Sequence, residues 1–190
     1  MTNSIDFSSS AWLSAFEKAS QMVVGFRELR AEIFQQTVKV VQAGGYTVED
    51  VTIHIGKEGV TKQTKFYTAP MALLPSERTE STVFQVLEAD CIEAAINEKH
   101  AGYNVCVLNM ASRQNPGGGV YGGAGAQEEN LFRRSNLFMS MYQFVDYAPM
   151  YGIQPNDSCR YPLDRNTGGV YSGAVTFFRG SEKKGYALLK

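Results

Sequence analysis

The sequence predicts an α/β domain with a helical N-terminal extension, on three observations. The first 45 residues are dominated by helix formers and stop at Gly44-Gly45. Beyond them, short β-branched runs alternate with a helical period, the pattern of strands and helices interleaved in one core. The chain then enters the loop "PGGGVYGGAGA", which places six glycines between positions 117 and 125 and runs into an amphipathic segment at Gln127.

Taken in order, Ser8-Ser9-Ser10 offer N-cap hydroxyls, and Ala11 to Ala43 reads as two consecutive helices interrupted around Gly25. Trp12, Phe16 and Phe26 supply their core. "YTVEDVTIHI", residues 46–55, alternates apolar and polar side chains as one strand, and "KFYT" reads as a shorter one. Pro70 to Arg78 is connecting loop. A strand at 83–87, a helix near 89–101 closed by Gly102 and a strand at 104–109 form a βαβ unit with a parallel pair. That order puts the glycine loop at the carboxyl end of a buried strand, where open α/β sheets hold ligands. Gln127 to about Val145 reads as one helix with Leu131, Phe138, Met141 and Val145 on its apolar face, and "GGVYSGAVTFFRG" as a final strand near 169–178. "RNTGG" is a turn. The expected organisation is a helical region, 1–45, packing on an α/β region, 46–190, within one globular domain.

The 190 residues, 44% hydrophobic and 19% charged, suffice for one core. A formal net charge of −1 leaves no electrostatic footprint for DNA or RNA phosphates. Cys91, Cys106 and Cys159 are odd in number and widely spaced, which suits a reducing compartment, and Cys106 reads as a small buried hydrophobe. The N-terminus lacks a basic and apolar leader, and no window reaches the roughly 18 apolar residues of a membrane span. A cytoplasmic protein without DNA or membrane partners is expected. His54 and His100 are isolated from each other and from any cysteine pair, so neither metal nor cofactor is expected.

Chemistry concentrates in the glycine loop. Gly117-Gly118-Gly119 has no Cβ to obstruct a ligand and can turn its amides outward as an anion cradle, with Asn109 at the preceding strand tip and Asn115 just before the glycines. The loop delivers Gln127, Glu128 and Glu129 onto the first turn of a helix, whose dipole favours an anion there. Adjacent residues on a helix diverge by about 100°, so Glu128 and Glu129 serve different tasks, one holding a hydroxyl and the other moving a proton. Glycine turns and acidic first turns also occur for purely structural reasons. Asp90 has two open readings, an N-cap for the helix after it or an acceptor for an adenine amino group.

"VLNMASRQNPGGGVYGGAGAQEENLFRRS", residues 107–135, closely resembles the signature of microbial-type poly(ADP-ribose) glycohydrolases, in which a triple glycine is followed after a short spacer by Gln-Glu-Glu. "EADCIEAA" upstream and "YPLDRNTGGVYSGAVTFFRG" downstream extend the match. The resemblance implies a macrodomain-like mixed sheet with flanking helices. It implies that Glu129 is the catalytic carboxylate, that Glu128 helps position ribose hydroxyls, and that Gly117 to Gly119 and Val120 wrap the distal ribose and diphosphate. The wider macrodomain pattern places Asn109 and Ser112 at the first and last positions of Asn-Ala-Ala-Asn, where Ser112 departs from the asparagine. The implied substrate is poly(ADP-ribose) or an ADP-ribosylated protein, with ADP-ribose as the product ligand.

That family continues beyond this point with further strands and a second glycine-rich loop over the diphosphate, whereas this sequence ends at Lys190, so an incomplete C-terminal part of the fold is expected. Three readings follow: a glycohydrolase with Glu129 as general acid/base, an ADP-ribose-binding module or inactive remnant without turnover, and a structural interaction protein.

Overall fold

The computed structural model describes residues 6–22, 25–70, 72 and 81–190. Its contacts divide into a larger unit, Met1–Ala69 with Met110–Lys190, and a smaller one, Pro70–Asn109. Helices mix with small antiparallel sheets, an α/β arrangement as expected.

The larger unit opens with α1, Ser9–Met22, and α2, Phe26–Ala43, separated by Gly25 in the left-handed region (φ 84°). Gly44 (φ 81°) ends α2 with its N–H on the carbonyls of Val40 and Val41, so both expected helices and their glycine stops are present. Burial explains their persistence: Ile33, Phe34, Thr37, Val40 and Val41 of α2 are all enclosed. Trp12 joins Ile33 and Tyr186 in one cluster and stacks on Phe16 at 4.7 Å.

The strand expected over 46–55 is instead a hairpin, β1 at Gly45–Val48 and β2 at Val51–His54. Glu49 and Asp50 take φ of 45° and 65°, the two-residue turn whose twist suits a hairpin. The apolar–polar alternation runs on through both arms, which is why the reversal did not interrupt the pattern. A short helix, α3 at Glu58–Lys62, leads to β3, Thr64–Tyr67, the expected "KFYT" strand. It pairs antiparallel with β4, Gly169–Ser172, which stops well short of residue 178.

In the smaller unit, α4 spans Cys91–His100, close to expectation. Asp90 Oδ1 accepts from the amides of Ile92 and Glu93, both at 3.1 Å, so its capping reading is realised. The parallel pair at 83–87 and 104–109 is a different matter: both segments are extended, and among the described residues neither enters a ladder. A strand exists only against a neighbour, and here apolar side chains meant for a sheet face solvent, Phe84 at 90% and Val86 at 100% exposure.

The long helix expected over 127–145 is two, α5 at Gln127–Arg134 and α6 at Leu137–Met141, followed by a 3-10 turn at Tyr142–Phe144. Ser135 makes the break. Its backbone is extended, its hydroxyl donates to Leu131 O at 2.7 Å and accepts from Leu137 N, and it bridges to Phe177. Asn136 fixes the corner by donating to Gly56 O and accepting from Thr176 N.

Candidate active site

The glycine loop and the first turn of α5 form one hydrogen-bonded unit. Glu128 Oε1 accepts from Gly117 N at 2.9 Å and its Oε2 from Ser112 N at 2.8 Å. Glu129 Oε1 accepts from Gly119 N at 2.8 Å. Gln127 Oε1 accepts from Met110 N at 2.8 Å, so all three residues of the Gln-Glu-Glu run grip the loop. The remaining glycine amide, Gly118 N, donates to Asn115 O at 2.9 Å. The outward-turned cradle expected of these amides is therefore absent: two are taken by carboxylates of α5 and the third by a carbonyl of the loop. Glycine freedom is used for close approach instead. Gly117 and Gly118 have φ of 79° and 54°, a Cβ on Gly117 would lie 2.7 Å from the Phe132 ring, and one on Gly118 would lie 2.4 Å from Glu129 Oε1.

The two glutamates differ in what they leave open. Both are buried, at 3% and 7% exposure. Glu128 has each oxygen on a loop amide. Glu129 has Oε1 anchored to Gly119, while Oε2 has no protein partner among the described residues. The divergence expected for neighbouring helical carboxylates thus becomes a division between a staple and a carboxylate with one free oxygen. Helix polarity agrees, with these acids in the first turn of α5 and Arg133 and Arg134 in the last.

Beside Gly118 lies a cavity of about 390 Å³ lined by Pro116, Gly118, Val120, Tyr121, Tyr142, Tyr147, Met150 and Tyr151. Its tyrosines pack ring to ring, Tyr142 and Tyr151 at 4.7 Å and Tyr142 and Tyr147 at 5.3 Å. Burial, then the neighbouring Tyr121 and the charge of Glu128, raises the Tyr147 phenol above its ordinary value, so it remains a neutral donor near the carboxylates. Burial and then Glu128 act in the same direction on Tyr161, whose hydroxyl is enclosed without a hydrogen-bond partner among the described residues. Such a wall can stack on a ring and offer hydroxyls to a polar ligand.

Of the other expected site residues, Ser112 turns its hydroxyl to Gln114 N and Asn115 N, shaping the loop. Asn115 is exposed and contributes its carbonyl to Gly118, while Val120 is buried on the cavity wall. Asn109 and Asp90 belong to the smaller unit. The tyrosines went unread in the sequence because they sit on loops and 3-10 turns with no fixed period. The density of rings in "YQFVDYAPMY" was the available signal. Among the described residues no cluster of His, Cys, Asp and Glu could hold a metal, and no helix is long and apolar enough to cross a membrane.

Glu128→Gln tests the staple. An amide must turn its NH2 toward Gly117 N–H or Ser112 N–H, setting donor against donor in a buried site. The expected cost is about 1–3 kcal/mol of unfolding free energy, measured by urea denaturation. Wild-type stability would refute a structural role for this carboxylate.

Residues 34–180 match the family model for the microbial-type poly(ADP-ribose) glycohydrolase (PARG) catalytic domain. The chain resembles the crystal structure of poly(ADP-ribose) glycohydrolase from Thermomonospora curvata, with 30% identity and a TM-score of 0.67 over 85% of this chain and 59% of that one. It also resembles the same enzyme bound to the inhibitor ADP-HPD, at 27% identity and a TM-score of 0.61, over 85% and 58% of the two chains. The chain therefore spans less than three fifths of the length of these solved relatives. No curated protein matches it.

Proposed function

Since the chain belongs to the family of microbial-type poly(ADP-ribose) glycohydrolase catalytic domains, we propose that it hydrolyses the ribose–ribose O-glycosidic bond of poly(ADP-ribose), releasing ADP-ribose, with Glu129 as general acid and base. The observation that carries this reading is the asymmetry of the two carboxylates: Glu129 holds its position through Oε1 and keeps Oε2 open.

Glu129, protonated on Oε2, gives its proton to the bridging oxygen as the C–O bond breaks, leaving an oxocarbenium-like ribose and a new hydroxyl on the departing chain. The carboxylate then takes a proton from water as the water oxygen bonds to the sugar carbon, restoring the acid. The net change is one water added across one glycosidic bond. A single carboxylate performs both transfers, and Glu128, which keeps the loop closed around it, has acceptor capacity left to position ribose hydroxyls.

Gly118, exposed and without a side chain, is where the substrate passes nearest the carboxylate, with Val120, Ser112, Asn115 and Gln127 shaping the floor. The tyrosine wall gives the ribose or its attached groups an apolar surface with phenolic donors. Asp90 is engaged in capping α4, which favours the structural side of its two readings. The relative that binds ADP-HPD supports ADP-ribose as the product ligand here. The odd number and wide spacing of Cys91, Cys106 and Cys159 are in keeping with a reducing cytoplasm as the place of action.

The test is to incubate the chain with poly(ADP-ribose), quantify released ADP-ribose chromatographically, and titrate ADP-ribose by calorimetry. Release together with binding is expected. Binding without release would reassign the chain as an ADP-ribose-binding module.

A further inference from the structure

A second polar assembly begins at Asn130 and Arg133, within one turn of the carboxylates along α5. Its hub is the hydroxyl of Tyr186, which accepts from Arg133 Nε at 2.8 Å and Asn130 Nδ2 at 3.2 Å and donates to Glu182 Oε2 at 2.9 Å. A phenol has one proton and two lone pairs, so these three bonds satisfy it completely. Glu182 also receives a bidentate pair from Arg30, Nε to Oε2 and Nη2 to Oε1, both at 2.7 Å. The Arg30 guanidinium is fixed against the rings of Phe16 and Phe26, 5.1 and 5.5 Å from their centroids.

The assembly ends on the glycine loop. Arg133 Nη1 donates to Ala124 O at 2.8 Å, and a Cβ on Gly125 would lie 2.5 Å from Arg30 Nη1. Asn130 directly follows Glu129, and Arg133 lies one turn further along α5. The loop just before the helix and the helix just after the carboxylate are thus held from α2 and from the segment 182–186, which are remote from both in sequence.

We propose that Tyr186, with Arg30 and Glu182, forms a positioning clamp that fixes the first turn of α5 against the glycine loop and so holds Glu129 on Gly119. The clamp rests on the reading of Glu129 as the acting carboxylate. Its residues touch neither the substrate nor the reacting atoms; they act through Asn130, Arg133 and Ala124. Burial pushes the Tyr186 phenol up to about 12, so its proton stays available to Glu182 across the working range.

The test compares the full chain with Tyr186→Phe, which keeps the ring and removes the hub, and with Glu182→Gln, which keeps volume and weakens the grip on Arg30. Amide hydrogen exchange is read at Gly119 and in the β1–β2 hairpin, beside steady-state release of ADP-ribose. Exchange at Gly119 is expected to rise about tenfold or more with the hairpin unchanged. In the same variants kcat is expected to fall about 10- to 100-fold with KM within about twofold. Unchanged Gly119 exchange in both variants overturns the clamp, as does acceleration shared equally by the hairpin, the mark of a general loss of stability. If Tyr186→Phe does not fold, Glu182→Gln decides by the same criteria. Should the wild-type chain release no ADP-ribose, the hydrolytic reading falls, and exchange at Gly119 still decides the clamp.

Discussion

Glu129→Gln is expected to lower ADP-ribose release by about 10²- to 10⁴-fold, the range spanned by a positioned acid or base, while ADP-ribose affinity stays within about threefold. The substitution is nearly isosteric. A glutamine can keep its Oε1 on Gly119 N–H, the 2.8 Å bond that orients the wild-type carboxylate. Only the transferable proton on the second oxygen is lost. Single-turnover release and calorimetric titration on the same preparation separate the two quantities. Near-normal release would remove Glu129 from the mechanism, and a parallel loss of affinity would mean that it binds rather than reacts.

Gly118→Ala is expected to lose about 10²-fold or more in release for a different reason, and to lose stability with it. Its φ of 54° already costs a non-glycine residue roughly 1–2 kcal/mol. The added methyl would lie 2.4 Å from Glu129 Oε1 and 3.1 Å from its Cδ, so the carboxylate must leave Gly119 or the loop must open. The cause can be isolated with Glu129→Ala, which deletes the atoms in conflict. Combined with Gly118→Ala, it should recover part of the lost melting temperature and none of the release, a non-additive pair. Strict additivity in melting would show that the backbone strain alone matters and that the close approach is incidental.

How far the sequence disclosed this site depends on the distance over which each part is decided. The placement of Glu128 and Glu129 on the first turn of a helix, pointing to different partners, was legible because helical phase is local. The direction of the glycine amides was not, since a glycine run reports conformational freedom and not where it points. The break at Ser135 was hidden by an apolar pattern that continues on both sides of it. The Glu49-Asp50 reversal was hidden in the same way. The ladder that 83–87 and 104–109 lack among the described residues, and the hydrogen-bond hub at Tyr186, lie beyond local reading altogether, because a strand and a hub are defined by partners that no spacing announces.

The carboxylate staples also carry a consequence for how the site assembles. The bonds from Gly119 to Glu129, Gly117 to Glu128 and Ser112 to Glu128 close over 10, 11 and 16 residues, whereas the Arg30–Glu182 pair closes over 152. For a flexible chain the entropy of closure grows as 1.5 RT ln n, so the longest of these loops costs roughly 2.4 kcal/mol more than the shortest. Short closures of this size occur in tens of nanoseconds. Residues 110–134 can therefore adopt the stapled loop early and repeatedly, while α2 and residues 182–186 are still finding each other. In an unfolding experiment followed by amide exchange, the contact between α2 and the C-terminal segment is expected to open before the loop around Glu129.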